Sequence, residues 1–395
     1  MQEFKVPSSK SISNRLLIIK YLSKSDKAIK NLSLADDTIL MQNILSQIDR
    51  NPSKLIFTDN AGTVTRFIIS LLAIKHGVWQ IDADPQMRKR PIKPLLDALK
   101  DLGAEINHLE RNDKLPIQII GGKLIGGKTI KIESNKSSQF LSSLLQISPY
   151  IKDGLSIQID EDMVSKPYLK MTIALMKEFG AKIKEEENHL IISPSKYNFK
   201  ETQVENDYSS ACFAFEKLSI LKGEDLFIKN LYPNSLQADS IAISYFSHFG
   251  IKSEFENDGL RLSYNEENTS KEKTLEFDIK DCPDIFPSLV MSALFSEKKV
   301  VFKGIESLEY KESNRIHAMK GGLNKIGAKV IIEEDRFIID GFLTKEFLNK
   351  PILIKTYDDH RIAMTFAIAA LKFPNIQLDN KDCVSKSFPM FWENL

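Results

Sequence analysis

A recurring order of helix, glycine and strand constrains the fold of this chain more than any other feature. Four segments share an amphipathic helical stretch, a glycine and a short apolar run: DALKDLGAEI (97–106), ALMKEFGAKI (174–183), SYFSHFGIKS (244–253) and GLNKIGAKV (322–330). Their glycines lie at nearly even intervals along the chain. Glycine adopts the left-handed conformation that ends many helices at little steric cost. The pattern therefore predicts an α/β protein assembled from a repeated helix–strand unit.

Two further segments, around 38–57 and 361–379, are candidate degenerate copies of the same unit. Six such units would fit the 395 residues, and a chain of this length is expected to form two domains. The polar stretch 193–207 lacks apolar periodicity and marks a candidate boundary near the middle of the chain. The alternative interpretation is that helix–glycine–strand segments are simply common in α/β proteins.

The charge balance and the cysteines exclude several classes of protein. Lys and Arg number 54 against 53 Asp and Glu, a formal net charge of +1, so binding of nucleic acid or a membrane surface by the whole chain is not expected. The three cysteines, Cys212, Cys282 and Cys383, are too scattered to predict a disulfide framework or a zinc site. Without a signal pattern or a long apolar run, a cytoplasmic protein is expected.

Lysine and arginine stand where helices are predicted to begin, although the positive end of the helix dipole disfavours cations there. The stretches concerned are PSSKSISNR (7–15), DNAGTVTRF (59–67), KESNRIHAM (311–319) and DDHRIAM (358–364). In the third stretch, Lys311 and Arg315 are predicted to lie one turn apart on a single helix. Each cation taken alone could be a solvated charge. Because the backbone N–H groups of helix starts also bind anions, the whole set predicts a site for a multiply anionic ligand.

Two acidic residues lie among or beside these cations. Glu312 is flanked by Lys311 and Arg315, and Asp284 precedes an apolar helical pattern. A carboxylate among cations can transfer protons in a reaction. A salt bridge for Glu312 and a helix cap for Asp284 are the simpler interpretations, and each residue taken alone favours them.

The ordered set of motifs resembles one family of enzymes, the 5-enolpyruvylshikimate-3-phosphate synthases among the enolpyruvyl transferases. The motifs run from residue 7 to 389: PSSKSISNR, DNAGTVTR, MRKRPI, SSQFLSSLL, VSKPYL, ENDYSSA, KESNRIHAM, YDDHRIAM and SKSFP. The resemblance implies an α/β (α+β) fold of two similar domains, each of three βαβαββ units, an inside-out α/β barrel. One domain would span 9–204 and the other 1–8 with 205–395, with the site in the cleft between them.

The resemblance also implies the reaction. The enolpyruvyl group of phosphoenolpyruvate would pass to the 5-hydroxyl of shikimate 3-phosphate with release of phosphate, in the shikimate pathway to chorismate and the aromatic amino acids. No metal or other cofactor, no nucleic acid and no membrane would take part. The enzyme would be a monomer that glyphosate inhibits.

Site residues follow from the resemblance position by position. Those expected to bind shikimate 3-phosphate are Lys10, Ser11, Arg15, Ser137, Ser138, Gln139, Ser165, Tyr168, Asp284, Ser307 and Lys311. Those expected to bind phosphoenolpyruvate are Lys10, Gly62, Arg90, Gln139, Arg315, Arg361 and Lys386. Asp284 would accept the proton of the 5-hydroxyl, and Glu312, assisted by Lys10, would protonate C3 of phosphoenolpyruvate.

Two other functions are alternatives. UDP-N-acetylglucosamine enolpyruvyl transferases carry a reactive cysteine in the loop that corresponds to 84–91, and DPQMRKRP has none. A non-catalytic phosphometabolite-binding protein would keep the cations but would not need both Asp284 and Glu312. Ser8 and Phe67 stand where glycine and proline are common in the family, which leaves the shape of those loops open. Gly62 would leave room for glyphosate.

Overall fold

The computed structural model describes residues 1–50, 55–133, 137–159, 163–342 and 350–395. These residues form two compact units, one of Lys10–Val204 and one of Met1–Ser9 together with Glu205–Leu395. We call the first the central unit and the second the terminal unit. None of the described helices is both long enough and apolar enough to cross a lipid bilayer.

The central unit alternates helices and strands along its length. Its helices are α1 (Lys10–Ser23), α2 (Asp36–Ile48), α3 (Gly62–Ile74), α4 (Pro85–Lys89), α5 (Lys93–Asp101), α6 (Gln139–Ile147) and α7 (Lys166–Glu178). Its strands, numbered along the whole chain, are β2 (Ile29–Lys30), β3 (Leu55–Phe57), β4 (Gly77–Asp82), β5 (Glu105–His108), β6 (Ile117–Gly121), β7 (Thr129–Lys131), β8 (Leu155–Gln158), β9 (Lys182–Glu186), β10 (His189–Ser193) and β11 (Thr202–Gln203).

The terminal unit begins with β1 (Gln2–Glu3) and resumes after the central unit. Its helices are α8 (Tyr208–Leu221), α9 (Ala242–Ser247), α10 (Phe286–Phe295), α11 (Arg315–Lys325) and α12 (His360–Lys372). Its other strands are β12 (Leu226–Lys229), β13 (Ile251–Glu256), β14 (Gly259–Tyr264), β15 (Thr274–Asp278), β16 (Lys299–Lys303), β17 (Ala328–Glu333), β18 (Arg336–Phe342), β19 (Ile352–Ile354) and β20 (Ile376–Leu378).

Four of the sheets among the described residues have four strands and one shared topology. In the central unit they are β3-β4-β6-β5 and β7-β8-β10-β9, and in the terminal unit β1-β12-β14-β13 and β15-β16-β18-β17. In each sheet the first pair of strands runs parallel and the remaining pairs run antiparallel. A parallel pair needs a crossover, which a helix supplies, whereas the last two strands form a hairpin. The predicted α/β fold of repeated units is confirmed.

The candidate degenerate copies are less complete than the other four. The described residues of each unit contain one further sheet, of only two parallel strands: β11-β2 in the central unit and β19-β20 in the terminal unit. Part of the segment 38–57 lies outside the described residues, and its α2 is followed by β3, which pairs in a different sheet. In the terminal unit, 361–379 supplies α12 and β20 of the short sheet, whereas the described residues of 38–57 supply no strand to β11-β2.

The four glycines of the repeat adopt the predicted conformation. Gly103, Gly180, Gly250 and Gly327 have φ of 95°, 95°, 85° and 73° and follow α5, α7, α9 and α11. After α5, the N–H of Ala104 bonds to the carbonyl of Leu99 at 2.9 Å, which satisfies a carbonyl that the helix end would otherwise leave open. The helix–glycine–strand prediction is therefore confirmed at all four positions.

Several helices are buried on almost every side. Nearly all residues of α3 and α6 in the central unit, and of α8, α10 and α12 in the terminal unit, belong to the buried core. Such a helix has no solvent-facing stripe on which to carry polar functional groups. The sequence motifs place most of the candidate site residues at the ends of such helices.

The left-handed glycines lead to a stability prediction. An added Cβ at Gly180 would come no closer than 3.7 Å to other atoms, so the cost of Gly180→Ala comes from the backbone conformation alone. We expect Gly180→Ala to lower the free energy of unfolding by about 1–2 kcal/mol in urea denaturation. Gly321→Ala, within α11 and with nothing inside 4 Å, is the control and should raise it by roughly 0.5–1 kcal/mol. A Gly180→Ala protein as stable as the wild type would contradict the left-handed conformation of residue 180.

Candidate active site

Arg15 is a buried cation that neutral groups hold in place. Its side chain on α1 is 2% exposed, with Nε donating to Thr172 Oγ1 at 2.7 Å and Nη1 to the Ser11 carbonyl at 2.8 Å. Burial lowers the pKa of Arg15 to about 10, while Tyr168 opposes the shift, so the guanidinium stays charged at neutral pH. Among the described residues no carboxylate pairs with Arg15. An anionic ligand would supply the missing counter-charge.

Phe67, which departs from the family pattern, supports this cation. The Arg15 Cζ lies 5.5 Å from the centroid of the Phe67 ring, and Phe67 itself is buried. A cation over an aromatic face is stabilised by the ring quadrupole. The second departure, Ser8, is buried in the terminal unit, where it bridges to Asn206. Phe67, although it departs from the family pattern, therefore still allows Arg15 to hold its position.

Gly62 and Arg90 lie against each other. A Cβ added to Gly62, the first residue of α3, would lie 2.8 Å from Nη1 of Arg90 and 2.9 Å from its Cζ and Nη2. Only glycine therefore lets the guanidinium rest on the start of this helix. The arrangement combines the donors of a guanidinium with those of a helix N-terminus, which is the chemistry that binds phosphate or carboxylate.

Gln139 belongs to the same neighbourhood. Its Oε1 accepts from Arg66 Nη1, and its Nε2 donates to Thr63 Oγ1 at 3.1 Å. Arg66 Nη2 also donates to the Pro91 carbonyl at 3.0 Å, directly after Arg90 in the chain. The network ties the first turns of α3 and α6 to the segment that carries Arg90.

Lys10 is fixed by an acid that sequence reasoning did not single out. Its Nζ lies 2.9 Å from Asp37 Oδ2, and the two side chains are 18% and 6% exposed. Lys10 is the first residue of α1 and Asp37 stands in the first turn of α2. The ion pair therefore holds the ammonium group at the start of two helices.

The expected serine contacts stand at two other helix starts. Ser137 Oγ accepts from the Gln139 N–H at 3.3 Å, and Ser138 directly precedes α6. Ser165 precedes α7 with φ 56° and ψ 41°, a left-handed conformation that is unusual for serine, and Tyr168 lies in the first turn of that helix. These hydroxyls stand beside backbone N–H groups that a helix leaves without intrahelical partners.

In the terminal unit, Arg315 forms ion pairs with three carboxylates. Its side chain is 1% exposed, and its nitrogens lie 2.8 Å from Asp284 Oδ1, 2.8 Å from Glu312 Oε2 and 2.9 Å from Asp359 Oδ2. Burial would lower the pKa of Arg315, but Asp359, Glu312 and Asp284 raise it, so the cation is permanent. The salt bridge that was the simpler interpretation of Glu312 is present. Because one guanidinium binds both acids, Asp284 and Glu312 are held close together.

Lys311 does not share a helix with Arg315, so that prediction was wrong. It follows the 3₁₀ turn Glu306–Tyr310, whereas α11 begins only at Arg315. The Asn314 side chain accepts from the His317 N–H at 3.1 Å and caps the helix there. The Lys311 ammonium nevertheless reaches the same acid, with Nζ 3.5 Å from Asp284 Oδ1.

Asp284 lies among three cations rather than capping a helix. It stands in the 3₁₀ turn Pro283–Ile285 before α10, and its Oδ2 is 3.2 Å from Arg361 Nη2. Burial alone would raise the pKa of Asp284, but Arg361, Lys311 and Arg315 hold it well below the ordinary value. The carboxylate is therefore ionised and able to accept a proton.

Two remaining expected residues lie in 3₁₀ turns of the terminal unit. Ser307 is 4% exposed, and its Oγ has no hydrogen-bond partner among the described residues. A buried hydroxyl in this state is available to a ligand. Lys386 ends the turn Asp382–Lys386.

A family model described as EPSP synthase (3-phosphoshikimate 1-carboxyvinyltransferase) matches residues 48–395. The chain belongs to this family. A curated relative named 3-phosphoshikimate 1-carboxyvinyltransferase, from Bacteroides fragilis (strain YCH46), is 36% identical over 391 residues, which cover 99% of this chain and 93% of the relative. A relative of the same name from Sulfurovum sp. (strain NBC37-1) is 33% identical over 418 residues, covering 100% of this chain and 95% of the relative.

The structural comparison agrees on the fold. A solved EPSP synthase from Acinetobacter baumannii matches with a TM-score of 0.79 at 22% identity, over 99% of this chain and 94% of that one. A second structure of EPSP synthase from Acinetobacter baumannii matches with a TM-score of 0.76 at 21% identity. The chain therefore has the two-domain fold of the EPSP synthases.

Sequence reasoning did not single out Asp37, Thr172 and Asp359 in these clusters, nor Asp239 near Asp284. For Asp359 a signal existed, because an aspartate directly before a predicted helix is a typical N-cap, and its Oδ1 does accept from the Arg361 N–H at 3.0 Å. Thr172 carries no such signal, since only the packing of α7 against α1 brings it to Arg15.

Asp239 is a missed residue whose pKa is raised toward neutral pH. It is 1% exposed in the 3₁₀ turn Ala238–Ile241 and accepts a hydrogen bond from Ser209 Oγ. Burial, and then the negative charge of Asp284, raise the pKa of Asp239 to about 7, while Arg361 opposes the shift. A carboxyl group that titrates near neutral pH therefore lies within the electrostatic reach of Asp284 and Arg361.

This shift predicts how stability depends on pH. The folded-state pKa of Asp239 lies above its ordinary value of 3.8, so its contribution is complete at low pH and is lost as the pH rises through about 7. As the pH rises from the ordinary value of 3.8 to about 7, the wild type should lose up to about 1.4 kcal/mol of unfolding free energy per pH unit relative to Asp239→Asn. Urea denaturation at several pH values measures the difference. Asp258→Asn, at an exposed position, is the control, and its difference from the wild type should not change with pH. An equally constant difference between the wild type and Asp239→Asn would refute the prediction.

Proposed function

We propose that this chain transfers the enolpyruvyl group of phosphoenolpyruvate to the 5-hydroxyl of shikimate 3-phosphate and releases phosphate. Its membership of the EPSP synthase family supports the reaction class. The observation that carries the chemistry is the clamping of Asp284 and Glu312 by the buried Arg315, each at 2.8 Å. We further propose a monomeric, cytoplasmic enzyme that uses no metal or other cofactor.

The two clusters suit different parts of the substrates. Arg15, with Ser11, Ser137, Ser138, Ser165 and Tyr168, would bind shikimate 3-phosphate, because its guanidinium has no carboxylate partner in the described chain. The Gly62–Arg90 contact, with Lys10 and Gln139, would bind phosphoenolpyruvate. From the terminal unit, Ser307, Lys311 and Asp284 would contact shikimate 3-phosphate, and Arg315, Arg361 and Lys386 would bind phosphoenolpyruvate.

The proposed addition step needs one base and one acid. Asp284 takes the proton of the 5-hydroxyl, whose oxygen forms a bond to C2 of phosphoenolpyruvate, while Glu312, with Lys10 assisting, gives a proton to C3. The product is a tetrahedral intermediate in which C3 is a methyl group. In the second step C3 returns a proton, the C2–O bond to phosphate breaks, and the enol ether forms. Fixed cations stabilise the phosphate as it leaves.

The electrostatics indicate how Asp284 gains basicity. Arg361, Lys311 and Arg315 keep its pKa well below the ordinary value, against the effect of burial, and a carboxylate of low pKa is a weak base. The carboxylate and phosphate groups of the substrates would compete for the same cations. Substrate binding would therefore raise the pKa of Asp284 toward a useful value, so that base strength depends on the presence of substrate.

Phosphate release tests the proposal. We expect the wild type to release phosphate only when both substrates are present, and Asp284→Ala and Glu312→Gln each to lower kcat by about 10²- to 10⁴-fold, as for loss of a general acid or base. Asp340→Asn removes a partly exposed carboxylate paired with Lys329 and serves as the control. A wild type that releases no phosphate would refute the reaction. Release with UDP-N-acetylglucosamine in place of shikimate 3-phosphate would favour the other enolpyruvyl transferase activity.

The contact between Gly62 and Arg90 predicts inhibitor behaviour. A methyl group at residue 62 would overlap the Arg90 guanidinium at 2.8–2.9 Å and push it from the helix start. We expect the wild type to be inhibited by glyphosate, and Gly62→Ala to raise the inhibitory concentration and the KM for phosphoenolpyruvate, each on the order of tenfold. Gly223→Ala, where an added Cβ meets nothing within 4 Å, should change neither. A wild type unaffected by millimolar glyphosate would contradict this prediction.

A further inference from the structure

Glu216 is a fully buried acid in the middle of α8. Its exposure is 0%, and its Oε1 lies 2.7 Å from Thr365 Oγ1 on α12. The same hydroxyl oxygen lies 3.2 Å from the carbonyl oxygen of Pro287 on α10. One acid and one hydroxyl thus join the three most buried helices of the terminal unit.

No opposite charge compensates Glu216. Among the described residues it forms no ion pair, and its Oε2 has no hydrogen-bond partner. Burial raises the pKa of Glu216 well above the ordinary value, and only the hydrogen bond with Thr365 opposes this. An ionised carboxylate here would be an unpaired charge in an apolar core, which is far costlier than a neutral acid.

The titratable groups on the surrounding elements do not change this conclusion. Helix α10 carries none, and the others stand on α8, α9, α12, strands β12, β13 and β14 and the 3₁₀ turns Ala238–Ile241 and Pro283–Ile285. These groups are Tyr208, Cys212, Lys217, Lys229, Asp239, Tyr245, Lys252, Glu254, Glu256, Arg261, Tyr264, Asp284, His360, Arg361 and Lys372. Lys217 donates to the Asn394 carbonyl at 2.6 Å and Lys372 to the Ile220 carbonyl at 3.3 Å. None of these groups contributes to the raised pKa of Glu216.

The count of hydrogens favours the neutral form as well. The Thr365 hydroxyl has one hydrogen but lies within reach of two oxygen atoms that could accept it. If Glu216 is protonated, its O–H donates to Thr365 Oγ1 and the Thr365 hydrogen is free for the Pro287 carbonyl. If Glu216 ionises, Thr365 must donate to the carboxylate and the Pro287 carbonyl loses that bond. Protonation of Glu216 therefore allows an unbroken chain of hydrogen bonds from Glu216 on α8 through Thr365 on α12 to the Pro287 carbonyl on α10. We call this chain the relay.

The relay lies directly behind two residues of the candidate active site. Thr365 is one helical turn after Arg361 on α12, and Pro287 follows Asp284 by three residues. Arg361 Nη2 and Asp284 Oδ2 are themselves 3.2 Å apart. We propose that Glu216, as a neutral acid, is a positioning residue that fixes the spacing between Arg361 and Asp284. Its kinetic consequence rests on the proposed function, whereas the relay itself does not.

Helix α8 also offers a matched control. Ser219 Oγ lies 2.7 Å from Ser292 Oγ on α10, and both residues are buried. This pair joins two of the same helices about one turn away, without a titratable group. Ser292→Ala therefore removes a buried link whose loss should cost the same stability at every pH.

The first experiment measures unfolding by urea between pH 5 and pH 9 for the wild type, Glu216→Gln and Ser292→Ala. The stabilising effect of a raised pKa is complete below the ordinary value of 4.5 and is lost as the pH approaches the folded-state pKa. Glutamine keeps a donor for Thr365 at every pH. We expect the midpoint of the wild type to fall relative to Glu216→Gln as the pH rises, while its difference from Ser292→Ala stays constant. If the difference in urea midpoint between the wild type and Glu216→Gln is the same at every pH, the inference that Glu216 is a neutral acid is refuted.

The second experiment measures phosphate release from phosphoenolpyruvate with shikimate 3-phosphate. We expect Glu216→Gln to keep kcat within about twofold at pH 7 and to lose less activity than the wild type at pH 9, while Glu216→Leu lowers kcat about tenfold through misplacement of the reacting groups. A folded Glu216→Leu enzyme with wild-type kcat would refute the positioning role. If that variant does not fold, Thr365→Val tests the same relay, with the same expected loss and the same refuting result.

The two experiments separate the failure of this inference from that of the proposed function. A wild type without phosphate release would refute the proposed function and, with it, the kinetic role of Glu216. The pH dependence of unfolding would still decide whether Glu216 is a neutral acid that joins the three helices.

Discussion

The buried ion cluster around Arg315 determines the chemistry of the terminal unit. A guanidinium with 1% exposure would be strongly destabilising alone, and so would the carboxylates that surround it. Together, Asp284, Glu312 and Asp359 satisfy its nitrogens at 2.8–2.9 Å. The cluster fixes the cap of α12, the start of α11 and the turn before α10 in one arrangement, so the two proposed acid–base groups are in place before a substrate arrives.

Arg15 in the central unit has a different environment. Its guanidinium donates to a hydroxyl and to backbone carbonyl groups and lies over Phe67. These neutral partners fix its orientation without neutralising its charge. The positive charge of Arg15 therefore remains available to an anion, while the acids around Arg315 are suited to moving protons.

Both arrangements depend on helices that are buried along their length. Helices α3, α6, α8, α10 and α12 contribute mostly apolar side chains to the cores, and the candidate site residues that they carry stand in their first turns and in the caps before them. The same burial makes an internal polar group costly unless it is neutral or paired. Glu216 and Thr365 link three of these helices in this way.

The sequence by itself determined the repeated helix–glycine–strand unit, because a left-handed helix end strongly favours glycine at Gly103, Gly180, Gly250 and Gly327. It also determined the family, through motifs that keep their order along the chain. It did not determine that the third copy in each unit would be short, because that depends on strand pairing between distant segments. Nor did it reveal the partners of the cations that lie far away in the chain: Thr172 is 157 residues from Arg15, and Asp359 is 44 from Arg315. Local periodicity specifies each helix, but only tertiary packing decides which side chains meet at the helix starts and which charges they leave uncompensated.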